Sequence, residues 1–239
     1  VSPIFGDAFG PHHAYKPGFA FSSGVELLRQ HGISGVLVYQ GESNAEEQVR
    51  VEEYGSLFSV LVQSYRELWN KKNLPFYWVQ LSSIERPLWP SFREEQRKLV
   101  KEIPFSGMAV TSDVGNRTNV HPTDKQTVGN RLAFWALKQV YHKKVEVSGP
   151  LIKKATFSPD KVILHFSHAR GLTTSDGKSL REFSTDGIKE LPAIIKGKRV
   201  IVSVPEKPKA IFYGWKPYSE GNLINKQRLP ASTFTVANQ

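Results

Sequence analysis

The chain has 239 residues, 39% hydrophobic and 11% aromatic, which is enough to bury a core in one large domain or two smaller ones. Cysteine is absent, which excludes disulfides and thiolate metal sites within the chain. The net charge of +10 invites a nucleic-acid, anionic-glycan or membrane-surface partner. The Lys and Arg residues are scattered, however. Those at 66–72 and 93–101 alternate with apolar and acidic residues and read as solvated helix faces. No RNP, zinc-finger or Walker pattern occurs, so no nucleic-acid partner is expected. No run approaches the roughly eighteen apolar residues of a membrane span.

The N-terminus, Val1-Ser2-Pro3-Ile4, has neither a basic n-region nor an apolar h-region, so it does not read as a signal peptide. With no initiator Met, the chain is expected to be a processed or truncated piece. Residues 1–22 are rich in Gly, Pro and aromatics and read as irregular structure with apolar anchors. His12 and His13 are adjacent and have no carboxylate at ligand spacing, so no metal site is expected there. A short helix, Val25 to Gln30, is expected after a cap at Ser22 or Ser23, with Gly32 ending it.

The apolar run Val36 to Tyr39 reads as a strand. It stops at a polar turn, Gln40-Gly41-Glu42-Ser43-Asn44, and a helical pattern follows from about Ala45 to Lys71. Along that helix Tyr54, Leu57, Phe58, Leu61, Tyr65, Leu68 and Trp69 form an apolar stripe expected to be core. Phe76 to Leu81 reads as a buried parallel strand. Pro87, Trp89 and Pro90 are expected in a stiff loop, and Ser91 is expected to cap a helix over Phe92 to Glu102. Met108 to Thr111 is a third short strand. Thr123 and Gln126 are spaced as a capping box opening a helix that runs to about Lys143.

Strands alternating with long crossovers require a parallel sheet with helices on its faces. After Val147 the pattern changes to short alternating strands, Lys161 to Phe166, Arg199 to Val204 and Lys209 to Tyr213, separated by turns. The fold class is therefore α/β, with an α/β part at 1–147 and a small antiparallel β-domain at 148–239.

The turn at 40–44 lies beyond the carboxyl end of a strand, where open α/β sheets place their sites. It reads equally as a helix N-terminus, capped by Ser43 or Asn44 and flanked by Glu46 and Glu47. His121 lies in a polar loop beyond the third strand. It has the chemistry of a general base near neutrality, and it also reads as a surface His stabilising a loop.

Tyr39-Gln40-Gly41-Glu42-Ser43-Asn44-Ala45 resembles the YQGESNA signature of sialate O-acetylesterases in the SGNH hydrolase superfamily. The segment Thr111 to Leu132, with His121-Pro122, Lys125-Gln126, Gly129, Arg131 and Leu132, is similar to the last block of the same family. So is Tyr213-Gly214-Trp215 with Asn222-Leu223, Asn225 and Leu229 to Phe234 at the C-terminal end. The resemblance implies a partial SGNH-type, flavodoxin-like parallel sheet and a serine carboxylesterase acting on O-acetylated sialic acid or related glycans, with no cofactor. It implies His121 as the base, with Gly41 N–H and the Asn44 side chain as oxyanion donors and Gln40 and Glu42 holding the turn. A secreted, periplasmic or lysosomal location is implied as well.

Two features depart from the family pattern. The Gly-Gln-Ser-Asn block carrying the nucleophile is not found, and Ser43 is a poor substitute. The serine is therefore expected on a missing N-terminal segment or companion chain. The Asp that usually precedes the His is replaced by Thr118 and Asn119, leaving Asn119 or the upstream Asp113 as the orienting group. Two competing readings are a non-catalytic carbohydrate-binding homologue and a glycosidase using Glu42 and Asp113.

Overall fold

Phe76-Tyr77-Trp78-Val79-Gln80 offers bulky side chains to both faces, so it must be covered on both sides. In the computed structural model, which describes residues 18–238, this run is β2 (Phe76–Gln80), and every residue of it is buried. It is the middle strand of a parallel sheet ordered β1 (Val36–Val38), β2, β3 (Ser106–Val110). Phe76 and Trp78 face one core, with α1 (Gln48–Leu68) and α2 (Trp89–Glu102). Tyr77 and Val79 face the other, with α3 (Lys125–Gln139). The period-two alternation of a single strand thus sets up three layers.

Helix α1 buries Val51, Tyr54, Phe58 and Val62, at three- and four-residue steps. The Tyr54 ring meets Phe92 at 4.5 Å and the Phe58 ring meets Trp78 at 5.3 Å, both edge-on, the geometry that aromatic quadrupoles favour. Each ring removed from water contributes about 1.5–3 kcal/mol.

Several boundaries differ from the sequence expectation. Residues 21–28 form one π turn and one 3-10 turn instead of a helix at 25–30. The helix expected from Ala45 is divided into a 3-10 turn, Asn44–Glu46, and α1, with extended Glu47 between them. Trp89 and Pro90 belong to α2, because proline is tolerated in a first turn, where the N–H has no intrahelical partner. Asp124, not Thr123, caps α3 by accepting from Thr127 N–H at 2.9 Å. Helix α3 ends at Gln139, short of Lys143. Arg93, Glu94 and Gln96, expected on a solvated face, are buried. Leu57 and Leu61, expected in the core, are exposed.

Beyond Val147 the chain forms antiparallel sheets. One is four-stranded, ordered β4 (Leu151–Phe157), β5 (Lys161–Ser167), β9 (Arg199–Ser203), β8 (Ala193–Lys196). A second runs β12 (Phe234–Ala237), β10 (Ala210–Tyr213), β7 (Phe183–Ser184), and β11 (Leu223–Ile224) pairs with β6 (Thr173–Thr174). Val162, Leu164, Val200, Val202, Ile211 and Phe234 make their shared core.

Arg93 of α2 locks this part to the parallel sheet. Its guanidinium donates to Gly214 O at 3.0 Å, Lys216 O at 2.5 Å and Pro217 O at 3.3 Å. Burial pulls its pKa down to about 10, and the carbonyl oxygens supply the solvation that water would have given. Gln80, at the end of β2, extends the lock by accepting from Thr233 N–H at 3.3 Å.

The outer edge of β1 pairs with no strand among the described residues. Leu37 on it is 60% exposed, and Val49, Leu57, Val60 and Leu61 of α1 are exposed as well.

Candidate active site

The carboxyl ends of β1 and β3 carry the two segments singled out in the sequence. After β1 the chain turns at Gly41, whose φ of 129° suits glycine, and a Cβ there would lie 2.4 Å from the Phe92 ring. Gln40 Nε2 donates to Asn44 Oδ1 at 2.6 Å, so the oxygen of the Asn44 amide is the end engaged within the turn. Ala45 N–H closes the turn on Gly41 O at 3.0 Å. Gln96 supports it from below, donating to Gln40 O at 3.5 Å while accepting from Leu81 N–H at 2.9 Å. Neither Gly41 N–H nor Asn44 Nδ2 has a hydrogen-bond partner among the described residues. Glu42 is half-buried, and Glu46 pairs with Arg86 at 2.6 Å.

After β3, Ser112–Val114 makes a 3-10 turn. Asp113 accepts two hydrogen bonds from Arg131 of α3, at 2.5 and 2.7 Å, and Arg131 also donates to Val110 O at 2.8 Å. The Asp113 carboxylate is therefore engaged with Arg131. Gly115 lies against the backbone of Ser83, where a Cβ would fall 2.1 Å from Ser83 O. Asn116 Oδ1 then accepts from Thr118 N–H at 3.0 Å and Asn119 N–H at 2.9 Å. Asn119 Oδ1 in turn accepts from His121 N–H at 2.9 Å. These successive Asx turns replace secondary structure over an exposed loop. The His121 ring is exposed and has no hydrogen-bond partner among the described residues.

A shared core and one contact link the segments. Val120 packs on the same core as Ala45 and Tyr39. Lys125 Nζ, at the start of α3, sits 4.7 Å from the Tyr39 ring centroid. The turn bearing Gly41 and Asn44 and the loop bearing His121 thus share the carboxyl edge of one parallel sheet. Arg117 closes the rim, pairing with Glu85 at 3.0 Å and lying 4.2 Å over Tyr218 of the antiparallel part.

Sequence reading missed Gln96, Asn116 and Arg117. Of these, only Asn116 carries a local signal, since Gly-Asn followed by a polar run favours Asx turns. No group of three or more His, Cys, Asp or Glu placed to hold a metal occurs among the described residues.

A parallel sheet with helices on both faces, carrying the His121 loop and the Gly41 turn at one edge, defines an α/β fold of the three-layer kind. Residues 20–138 match the family described as carbohydrate esterase, sialic acid-specific acetylesterase, and the chain belongs to that family. It is 28% identical over 166 residues to a sialate O-acetylesterase of Mus musculus, an alignment covering 60% of this chain and 30% of that protein. It is 30% identical over 158 residues to the Homo sapiens sialate O-acetylesterase, covering 57% and 30% respectively. Among solved structures it resembles a carbohydrate acetylesterase from Xanthomonas citri at a TM-score of 0.81 and 34% identity, covering 89% of this chain and 52% of that one. The chain therefore spans about 30% of the length of these curated relatives and about half of that structure.

Proposed function

We propose that this chain supplies the base and the oxyanion-binding groups of a serine carboxylesterase that removes acetyl groups from sialic acid or related acetylated glycans. In this reading the nucleophilic serine comes from a further segment, in the same polypeptide or a companion chain. The observation that supports it is that the His121 loop and the Gly41–Asn44 turn both lie beyond carboxyl ends of the parallel sheet, with the His121 ring, Gly41 N–H and Asn44 Nδ2 unengaged among the described residues.

The serine Oγ attacks the acetyl carbonyl and gives its proton to His121. The oxygen of the tetrahedral intermediate accepts from Gly41 N–H and Asn44 Nδ2. Collapse expels the sugar hydroxyl, which takes the proton from His121, and water then releases acetate by the same path. Gln40 orients Asn44, Glu42 flanks the turn, and Asn119 positions the His121 loop. Asp113 braces that loop through Arg131.

Three of the serines near the site make poor nucleophiles. Ser82 and Ser83 are buried, and Ser43 lies within the donor turn itself. The free edge of β1 with the apolar stripe of α1 fits a further parallel strand arriving there, since such an edge invites pairing. We take 1–147 as the esterase part, 148–239 as a separate β-domain, and a secreted, periplasmic or lysosomal compartment as the place of action.

The test is hydrolysis of p-nitrophenyl acetate and of O-acetylated sialic acid by the chain joined to its serine-bearing segment. His121→Ala should lower kcat by about 10³-fold or more with an unchanged melting temperature. Activity within about tenfold of the parent overturns the assignment.

A further inference from the structure

Away from the sheet edge, a cleft of about 780 Å³ lies where α2 meets β4 and β12. Both strands are sheet edges, β4 in the order β4-β5-β9-β8 and β12 in the order β12-β10-β7. The walls therefore offer backbone donors and acceptors that no neighbouring strand uses, apart from Thr235 N–H, which donates to Glu94 at 3.3 Å. Phe157 and Val236 add apolar surface, and Thr156 and Thr235 add hydroxyls.

The charge of the cleft is one-sided. Arg97 is neutralised by Glu94 at 2.6 Å and Lys98 by Glu95 at 2.6 Å. Lys101, Lys153, Lys154 and Lys207 also line the cleft, and none has a carboxylate partner among the described residues. Lys153 and Lys154 are consecutive, and in a regular strand they would point to opposite faces. Here Ile152 pairs with Phe166 and Lys154 with His165, so Lys153 is an extra residue in a β-bulge, and both lysines are exposed.

We propose that this cleft binds a carboxylated glycan chain. Unpaired lysines take the carboxylates, edge-strand amides and threonine hydroxyls take the sugar hydroxyls, and Phe157 and Val236 lie against sugar faces. That the ligand is a glycan rests on the esterase reading above, whereas its negative charge follows from the lysines alone. The cleft would hold an acidic polysaccharide while deacetylation proceeds at the other site. Lysines on an edge strand also deter strand pairing, a role that needs no ligand.

Titration of the intact chain with polysialic acid, with neutral dextran and with single-stranded DNA of matched charge separates these roles. Polysialic acid should bind, more weakly as salt rises, and dextran should not. The DNA should bind at least about tenfold more weakly than polysialic acid, because it lacks the hydroxyl pattern that the edge strands read. The combined variant Lys101→Gln, Lys153→Gln, Lys154→Gln, Lys207→Gln should weaken polysialic acid binding by about tenfold or more, with an unchanged circular-dichroism spectrum and melting temperature. Lys98→Gln, whose lysine is already paired, should change it less than about twofold. Equal binding of DNA, or full binding by the combined variant, overturns the proposal, as does a combined variant that aggregates while still binding. His121→Ala should leave glycan binding intact, so failure of the esterase assignment and failure of this one are read separately.

Discussion

The Asn119 side-chain oxygen accepts the backbone N–H of His121 at 2.9 Å, so the amide holds the loop and leaves the imidazole unengaged. Asn119→Ala should therefore lower kcat about 10–100-fold through a misplaced base, with little change in stability because the loop is exposed. Asn119→Asp keeps an acceptor oxygen and should retain activity within a few-fold, on an unshifted pH–rate profile. An upward shift of that profile would show the new carboxylate reaching the imidazole.

Gly41→Ala should destabilise the fold by about 2–4 kcal/mol in urea titrations, because its methyl group meets the Phe92 ring and its backbone leaves the allowed region. Esterase activity should fall as well, since the same displacement moves the donor N–H. A loss below about 0.5 kcal/mol would mean that the turn relaxes freely.

Asp113→Ala removes the paired acceptor of Arg131, leaving that largely buried guanidinium on Val110 O. The expected cost is about 1–3 kcal/mol, together with faster hydrogen exchange over the loop 112–122. Unchanged exchange would detach the brace from the loop.

Arg93→Met should cost about 3–5 kcal/mol, because the carbonyls of Gly214, Lys216 and Pro217 lose their donor inside the protein. Chemical denaturation monitored separately by probes in the two halves should show the loss in both.

Asp176 has its pKa held below the ordinary carboxylate value by hydrogen bonds from Arg181 and Asn222. Its contribution is therefore complete above the unfolded pKa, about 3.9, and is lost as the pH falls below that. Melting temperatures between pH 5 and pH 2 should decline less steeply in Asp176→Asn than in the parent. Parallel curves would place the acid sensitivity in other carboxylates.

The parallel sheet was legible because β2 is apolar on both faces and its neighbours alternate with helical periodicity. Its helices were legible in kind but less so in extent. Whether Trp89 and Pro90 end a loop or begin α2 depends on what they pack against. Leu57 and Leu61 follow the helical period as faithfully as Tyr54 and Phe58, and period alone does not say which stripe of α1 finds a neighbour. At the site, the turn at 40–44 and the loop to His121 were visible in local sequence. Their support was not, since Gln96 and Arg131 act through side chains distant in sequence. The short strands β6, β7 and β11 carry too few residues to show a pattern.

Arg93 also imposes an order on events during synthesis. Its acceptors lie between Gly214 and Pro217, more than a hundred residues later in the chain. A ribosome that has delivered β1, β2, β3 and α3 has still not delivered the groups that solvate this cation. Until it does, α2 cannot seat against β2 without stranding a charge, so the parallel layer waits for the C-terminal third before it closes. Nascent chains arrested before residue 214 should accordingly remain open to protease at α2, and those released beyond 234 should not.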